Sequence, residues 1–367
     1  MIRVLQLPDS TEKRNGRMSV IMNVYRKIDR SKIQFDFACT DYGFENYQDE
    51  IRKMGGKVYM LPKKDLSFSK IKKLITNLLA SGQYSYLHYH ALSKWGCALS
   101  IAHKAGVKII VHSHATKMSD TVLKSIRNRV FSLPLFLYAD KKAAVSLEAG
   151  EKLFLGTEFE YIPNMIDYKS FVFDPLSRDR IRNLYNIDPE TVLVGCVGRI
   201  SKQKNQKYAI EVLNRLVRDS TKRIKLMIVG DAEEKDRTTL NNLYSLIKMY
   251  RLNKNVIFTG MVDNIADYYS AFDLFWLPSL YEGMPTAGVE AEANGLNLIV
   301  SNTVSRDLNV TGNIKFLPIK EKNISSWECM SLENLRSHRC KNALALIENS
   351  EFNTKKIVSL WKKLYGV

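Results

Sequence analysis

The stretch TVLVGCVGRISKQKN, residues 191–205, joins a strand-like run to a charged turn. An almost uninterrupted apolar run, Thr191–Val197, leads into Gly198, and a helical pattern follows Asn205. Such a run is typical of a strand covered on both faces, which is the environment of a parallel sheet. Glycine lets the backbone turn sharply where the strand ends. The stretch therefore predicts a strand, a turn and a helix of an α/β domain.

Short apolar runs and amphipathic helical stretches alternate along the whole chain, and the alternation occurs twice. This pattern predicts the α/β class, with two Rossmann-like domains whose parallel sheets are covered by helices on both faces. The apolar runs are Ile2–Leu7, Ile33–Cys39, Lys57–Leu61, Tyr84–Tyr89, Val107–Val111 and Ala143–Ser146 in the first half, and Thr191–Val197, Lys225–Val229, Val256–Thr259, Leu274–Leu277 and Leu298–Ser301 in the second.

Length and composition set the domain limits. A chain of 367 residues exceeds one ordinary domain. Its stretch 166–189 has two prolines, mixed charge and no clear strand. We predict a first domain over residues 1–168, a linker over 169–190 and a second domain over 191–350. Residues 351–367 are predicted to be helical, and a return of this helix to the first domain is one alternative.

The cysteine pattern and the hydropathy indicate a cytoplasmic chain. The five cysteines are scattered and form no C-x-x-C pair, which favours buried thiols in a reducing compartment over a disulfide framework or a zinc site. The N-terminus lacks the features of a signal peptide. No stretch approaches 18 uninterrupted apolar residues, so no membrane span is expected.

The net charge of +17 favours anionic partners. Residues 1–172 hold most of the excess, with 27 Lys and Arg against 16 Asp and Glu. Lipid headgroups, nucleic acids and phosphorylated small molecules fit this charge. No nucleic-acid-binding motif is found, so nucleic acid is not expected, whereas docking on the anionic inner face of the cell membrane stays a hypothesis. The cationic clusters of this half are Lys63, Lys64, Lys70, Lys72, Lys73, Lys117, Lys124, Arg127 and Arg129.

Two motifs of the second half carry the chemistry. Arg199 and Lys204 lie in the turn after a strand, at the sheet edge where doubly wound domains bind ligands, and they suit a diphosphate. The alternative is two surface cations on an ordinary loop. In EGMPTAGVE, Glu282 to Glu290, Pro285 suits a first helical turn whose amides face an anion. For either glutamate alone a solvated charge on a helix is the favoured interpretation, whereas the pair in this glycine-rich frame favours a binding site.

Together the motifs G-R-x4-K-N and E-x7-E resemble the signature of retaining glycosyltransferases with the two-domain GT-B fold. The match is closest to family 4, the glycosyl transferases group 1, which includes many bacterial capsule and exopolysaccharide enzymes. YIPNMID, residues 161–167, resembles the P-N-G-I-D segment of that family, and residues 293–301 resemble its strand after the second glutamate. The resemblance covers nearly the whole chain.

The resemblance implies two domains facing across a cleft and a metal-independent transfer with retention of configuration. The donor would be a nucleotide diphosphate sugar, UDP-linked above all, and the acceptor a hydroxyl of a glycan or a lipid-linked glycan. His114 resembles the histidine that faces the sugar ring, and Glu282 would bind the transferred sugar, so these two are the predicted catalytic residues. The predicted donor-binding residues are Gly16, Arg199, Lys204, Gly283, Met284, Pro285, Thr286 and Glu290.

Two positions depart from the family pattern, in which a Gly-Gly pair precedes a glutamate and P-N-G-I-D carries a glycine. The first loop keeps Gly16 and has Met18 in place of that glutamate, and Met165 replaces the glycine. His88, His90 and His112 accompany His114, but no carboxylate or cysteine stands at metal-ligand spacing. The chain also lacks D-x-D, so no metal is expected. A buried core histidine is the alternative for each imidazole.

The sequence offers no clear candidate for a covalent nucleophile. Retention therefore favours attack by the acceptor hydroxyl on the same face of the sugar that the diphosphate leaves. A diphosphate oxygen would take the proton of that hydroxyl. Two other functions stay open. A nucleotide-sugar epimerase or hydrolase of the same fold would act without an acceptor. A basic nucleic-acid-binding protein would show salt-sensitive affinity for oligonucleotides. An NAD-dependent dehydrogenase is disfavoured because no G-x-G-x-x-G follows the first strand.

Overall fold

The chain folds as two α/β units. A computed structural model describes residues 1–13, 15–43, 45–65, 67–90, 94–114, 135–335 and 338–367. One unit comprises Met1–Met165 with Glu351–Val367, and the other comprises Ile166–Ser350. We call them unit 1 and unit 2. Each holds one parallel sheet covered by helices, which confirms the predicted fold class.

Unit 1 is built on a seven-stranded parallel sheet of order β3-β2-β1-β4-β5-β6-β7. Chain order reverses at β1, which places the switch point of the sheet between β1 and β4. The strands are β1 Ile2–Ser10, β2 Ile33–Asp41, β3 Val58–Pro62, β4 Tyr86–Tyr89, β5 Lys108–Ser113, β6 Lys141–Ala144 and β7 Glu160–Tyr161. The helices are α1 Gly16–Lys27, α2 Gln48–Lys53, α3 Phe68–Ala80, α4 Cys97–Lys104 and α5 Leu147–Phe154.

Unit 2 has a six-stranded parallel sheet of order β10-β9-β8-β11-β12-β13, with the reversal between β8 and β11. The strands are β8 Val192–Val197, β9 Ile224–Val229, β10 Val256–Gly260, β11 Leu274–Leu277, β12 Leu298–Ser301 and β13 Ile314–Leu317. The helices are α6 Pro175–Leu184, α7 Gln206–Asp219, α8 Arg237–Met249, α9 Ile265–Ala271, α10 Thr286–Ala293, α11 Ile324–Asn334 and α12 Ala343–Glu348.

Two of these strands, β7 and β13, were not predicted from the sequence, for physical reasons. Strand β7 is only two residues long, so it has no periodicity to detect. Strand β13 contains the exposed Lys315 and pairs at the sheet edge with β12 alone. Short or edge strands bury too little apolar surface to produce a continuous run.

The segment expected to be a linker, residues 169–190, instead belongs to unit 2. Helix α6 begins there, with the side chain of Asp174 accepting hydrogen bonds from the amides of Leu176 and Ser177. Arg182 is buried on this helix and its guanidinium donates to the carbonyl oxygen of Ala271 at 3.1 Å. In the sequence, an arginine is expected to be an exposed surface charge. The packing of this segment could therefore not be predicted from its residues.

The last helix, α13 Thr354–Leu364, belongs to unit 1. Its apolar face buries Ile357, Trp361 and Leu364, and Tyr365 follows in the same core cluster as β1 and β2 residues. The Trp361 ring lies 6.1 Å from the ring of Phe35 on β2. The end of the chain therefore completes the core of unit 1.

Truncating Trp361 tests this account of the core. We expect Trp361→Ala to lower the free energy of unfolding by about 3–5 kcal/mol, because a fully buried indole leaves a cavity. Chemical denaturation followed by circular dichroism measures the change. Ser359→Ala, on the exposed face of the same helix, is the matched control. Equal stability of the two variants would contradict the packing described here.

Candidate functional site

In unit 2, one predicted cation and one predicted carboxylate meet at the carboxyl edge of the sheet. Lys204 Nζ lies 2.6 Å from Glu282 Oε1. The hydroxyl of Ser279 donates to the same carboxylate oxygen at 2.9 Å. Glu282 is 8% exposed, so this ion pair is largely removed from water. The structure thus brings together side chains that are far apart in sequence.

Hydrogen bonds between two loops, donated by side chains and by the backbone, fix that pair. Asn205 adopts a left-handed conformation with φ of 54°, and its side-chain amide donates to the carbonyl oxygen of Pro278 at 3.1 Å. The amide of Leu280 donates to the carbonyl oxygen of Gln203 at 2.8 Å. The side chain of Gln203 donates in return to the carbonyl oxygen of Tyr281 at 3.0 Å. The positions of Lys204 and Glu282 are therefore set by the main chain around them.

Two glycines allow the loops to approach closely. Gly198 has φ of 141°, and a Cβ placed there would lie 3.1 Å from Cε of Lys204. Gly230, which follows β9, has φ of 133°, and a Cβ on it would lie 2.3 Å from the carbonyl oxygen of Gly198. Sequence reasoning identified Gly198 and missed Gly230. The signal for Gly230 was the same: a glycine directly after an apolar strand.

Arg199 lies in an ion pair of its own. Its Nη1 is 2.5 Å from Oε1 of Glu233, whose other oxygen is 2.8 Å from Nζ of Lys235. Partial burial tends to raise the pKa of Glu233, but hydrogen bonds from Lys235 and Arg199 outweigh it and lower the pKa. Sequence reasoning had not foreseen Glu233 as a partner. An anion that binds Arg199 must compete with this carboxylate.

Glu290 lies on α10 and is partly buried. The Tyr269 hydroxyl donates to its Oε2 at 2.7 Å. Burial raises the pKa of Glu290 to about 7, against the opposing effects of the Tyr269 hydrogen bond and the positive charge of Lys204. Lys204 therefore lies within electrostatic range of both predicted glutamates, Glu282 and Glu290.

The start of α10 lies where the sequence predicts an anion site. Pro285 precedes Thr286, the first helical residue, and Gly283 and Met284 are buried just before them. The first amides of a helix have no acceptor within it, and they carry its partial positive charge. The chain thus places four predicted residues at the end of a helix that attracts negative charge.

Glu292 is a buried carboxylate that sequence reasoning missed. It accepts hydrogen bonds from the amides of Val310 and Thr311, and from the Thr311 hydroxyl at 2.6 Å. Burial raises its pKa to about 7. Glu292 lies about 200° around the helix from Glu290, so it faces away from it. Its contacts anchor α10 to the following loop.

In unit 1, Gly16 begins α1 and is exposed. A Cβ at this position would meet no atom within 4 Å, so the glycine leaves open space above the helix end. The side chain of Asn15 accepts hydrogen bonds from the amides of Arg17 and Met18. Met18, which stands where the family has a glutamate, is fully buried in the core. This position therefore contributes apolar packing.

Four histidines cluster at the carboxyl ends of β4 and β5. His114, directly after β5, has Nε2 2.9 Å from Nδ1 of His90. Burial lowers the pKa of His88, His90 and His114 well below the ordinary value, and lowers that of His112 to about 3. These imidazoles are therefore neutral. Residues 115–116, which were quoted with His114, and the predicted cations Lys117, Lys124, Arg127 and Arg129 lie outside the described residues.

The cluster invites a metal reading, because potential ligand atoms of His88, His90 and His112 lie within 4.8 Å of one another. Zinc bonds of about 2.1 Å in a tetrahedral site would bring these nitrogens to about 3.4 Å. The rings are instead stacked: the His88 centroid is 4.0 Å from that of His90 and 5.4 Å from that of His112, with interplanar angles of 24° and 9°. Parallel rings do not aim their in-plane lone pairs at one point. The geometry fits stacked neutral imidazoles better than a metal site.

Within the described residues, no helix combines the length and the apolar character needed to cross a bilayer.

The raised pKa of Glu290 predicts a pH-dependent stability. The folded chain keeps a proton that the unfolded chain releases above the ordinary pKa of 4.5, so this residue makes folding less favourable as pH rises from about 4.5 to about 7. Glu290→Gln should therefore become more stable relative to the natural chain as pH rises from 5 to 8. Melting temperatures at both values measure the gain. Glu234→Gln, at an exposed carboxylate, is the control, and a gain no larger than the control's would disprove the assignment.

Comparisons with known proteins place the chain among related sequences. Residues 177–317 match the family model "Glycosyl transferases group 1". The chain is 28% identical to the putative glycosyltransferase EpsF of Bacillus subtilis, covering 86% of this chain and 83% of the relative. It is 26% identical to a UDP-Gal:alpha-D-GlcNAc-diphosphoundecaprenol alpha-1,3-galactosyltransferase of Escherichia coli, covering 96% and 93%.

Solved structures show the same fold. Anabaena HepE in complex with UDP superposes with a TM-score of 0.80 at 16% identity, over 100% of both chains. Sucrose-phosphate synthase from Thermosynechococcus elongatus gives 0.78 at 18% identity, over 100% of this chain and 98% of that one. With the family match, these likenesses confirm the resemblance that the two sequence motifs indicated.

Proposed function

We propose that this chain, as a group 1 glycosyltransferase, moves a sugar from a nucleotide diphosphate sugar to a hydroxyl of a glycan or lipid-linked acceptor in bacterial surface polysaccharide synthesis. The observation that carries the proposal is the position of Lys204 near the start of α10. Lys204 lies beside Glu282 and within electrostatic range of Glu290. A cation, two hydrogen-bond acceptors and a helix N-terminus are the groups that a nucleotide diphosphate sugar requires.

UDP is the proposed carrier. One relative is named for a UDP-galactose donor and a diphosphoundecaprenol-linked acceptor, another from Staphylococcus aureus for capsular polysaccharide biosynthesis, and Anabaena HepE was solved with UDP-glucose. In the proposed complex, Glu290 accepts hydrogen bonds from the ribose hydroxyls, for which its ionised form is the better acceptor. Glu282 accepts one from a hydroxyl of the sugar.

The diphosphate is stabilised by protein groups in this proposal. Lys204, the amides at Gly283–Thr286 and Arg199 would neutralise the charge that grows as the bond from the anomeric carbon to the diphosphate breaks. To bind the diphosphate, the guanidinium of Arg199 must give up its ion pair with Glu233. Because these groups supply the positive charge, no divalent metal is required.

The proposed reaction retains the configuration of the anomeric carbon. The acceptor hydroxyl attacks the anomeric carbon on the face that the diphosphate leaves, and a diphosphate oxygen takes the hydroxyl proton. The new glycosidic bond then forms where the old one broke. His114 is proposed to contact a hydroxyl of the transferred sugar as a neutral imidazole, consistent with its strongly lowered pKa.

A thermal-shift screen tests the donor site directly. The purified chain is mixed with UDP, GDP, ADP, CMP and several UDP-sugars, with and without a chelator. A ligand of the folded state raises the melting temperature by mass action. We expect the largest shift with UDP compounds, unchanged by the chelator. No shift with any nucleotide would refute the donor assignment, and donor breakdown that needs no acceptor would favour the epimerase or hydrolase.

A double variant tests the role of the cations. Arg199→Ala/Lys204→Ala should lose at least about 100-fold in kcat, because removal of one charge-stabilising donor already costs that much. Transfer of labelled sugar to acceptor measures it. Lys202→Ala/Lys207→Ala removes two exposed cations of the same segment and is the matched control. Near-normal turnover in the Arg199→Ala/Lys204→Ala variant would contradict the proposed mechanism.

Docking on the inner face of the cell membrane is the proposed location. At the start of α3, Phe68 is 64% exposed and Lys70, Lys72 and Lys73 are exposed around it. An apolar ring among cations suits an anionic bilayer surface, where each cation contributes about 1 kcal/mol.

Vesicle sedimentation tests the docking. The chain should sediment with vesicles rich in anionic lipid and stay in solution with neutral ones. Lys72→Glu/Lys73→Glu should reduce binding more than the charge-matched Lys222→Glu/Lys248→Glu, whose lysines are exposed on unit 2. Equal partition between the two kinds of vesicle would reject the proposal.

A further inference from the structure

A buried chain of hydrogen bonds leads away from His114. His90 Nδ1 faces His114 Nε2 at 2.9 Å, and His90 Nε2 faces Oε1 of Gln6 at 2.7 Å. The amide nitrogen of Gln6 donates to the hydroxyl of Tyr365 at 3.1 Å. That hydroxyl lies 2.6 Å from Nδ1 of His88. The chain thus connects three strands of the unit 1 sheet to the residue that follows α13.

The protons in this chain follow from the Gln6 amide. A carbonyl oxygen only accepts, so His90 must carry its proton on Nε2. A neutral imidazole has one proton, which makes His90 Nδ1 an acceptor and requires His114 to donate from its own Nε2. The remaining nitrogen of His114, Nδ1, then holds a lone pair.

The Tyr365 end of the hydrogen-bond chain is consistent with the same direction of proton donation. The Tyr365 hydroxyl accepts from Gln6 and has its own proton left to donate, which His88 Nδ1 accepts. Gln6, His88 and His90 are at most 2% exposed and Tyr365 is 1% exposed, so water does not compete for these bonds. Rotating the Gln6 amide would reverse every bond in the chain and move the His114 proton to Nδ1.

We propose that His90 is a positioning residue for His114: it occupies Nε2 and, backed by Gln6 and Tyr365, presents Nδ1 as a hydrogen-bond acceptor to a hydroxyl of the transferred sugar. This inference rests on the proposed function for its ligand. It assigns a role to three buried polar side chains that a packed core alone does not require, and it makes the C-terminal segment part of the support for the histidine that contacts the sugar.

Two substitutions at one position test the assignment. Asparagine reaches as far as the Nδ1 of histidine, and glutamine as far as its Nε2. His90→Asn therefore keeps a partner for His114, whereas His90→Gln keeps a partner for Gln6 and leaves His114 Nε2 without one.

We expect His90→Asn to lose about threefold in kcat, because its amide still meets His114 but no longer Gln6, and His90→Gln to lose roughly tenfold or more, because His114 is no longer held in place. The UDP-induced thermal shift should be unchanged in both, since the donor groups of unit 2 are intact. Equal losses in the two variants would indicate a structural role only, and no loss in either would remove the positioning role.

Nitrogen-15 NMR of the histidines tests the proton order without any substrate. In the natural chain, Nδ1 of His114 should show the shift of an unprotonated nitrogen. Gln6→Leu removes the acceptor of His90 and should mix the two tautomers of His114, while His103, exposed on α4, serves as the reference. A protonated Nδ1 in the natural chain would overturn the proposal. If the enzyme transfers no sugar, the proposed function fails while this measurement still decides the proton order.

Discussion

The ion pair between Lys204 and Glu282 is the constraint around which the second unit's sheet edge is organised. Removing two charges from water is costly unless further hydrogen bonds compensate. Ser279 supplies one such bond, and side-chain and backbone hydrogen bonds between the loops at 203–205 and 278–281 hold the partners in place. A ligand that brings two negative phosphates would find Lys204 already positioned and would compete with Glu282 for it.

The sequence predicted most strands of both sheets because strands that are covered on both faces appear as apolar runs. The family resemblance assigned Lys204 and Glu282 to one donor site, and the fold shows why they can meet: each follows a strand, and parallel strands end at one edge. The sequence could not predict that Arg199 would pair with Glu233, since that contact depends on how the loop after β9 bends at Gly230. Arg182 was hidden for a related reason: its burial depends on carbonyl oxygens that no local pattern reveals.

The histidine cluster shows the same limit in unit 1. Alternate residues of adjacent strands predicted neighbouring imidazoles, and His114 was chosen from its place at the strand end. Gln6 and Tyr365 carried no signal, because one lies inside an apolar strand and the other follows a helix near the end of the chain. Only the fold brings positions 6 and 365 within hydrogen-bonding distance.

The return of the last helix to unit 1 also bears on how the protein is made. Residues 351–367 leave the ribosome after the whole of unit 2, a delay of roughly ten to forty seconds at ordinary rates of synthesis. Until then the first unit lacks Trp361 and Tyr365, and the apolar surface that they cover stays open. The nascent chain therefore passes through a long interval in which its first half is aggregation-prone and its second half can already fold.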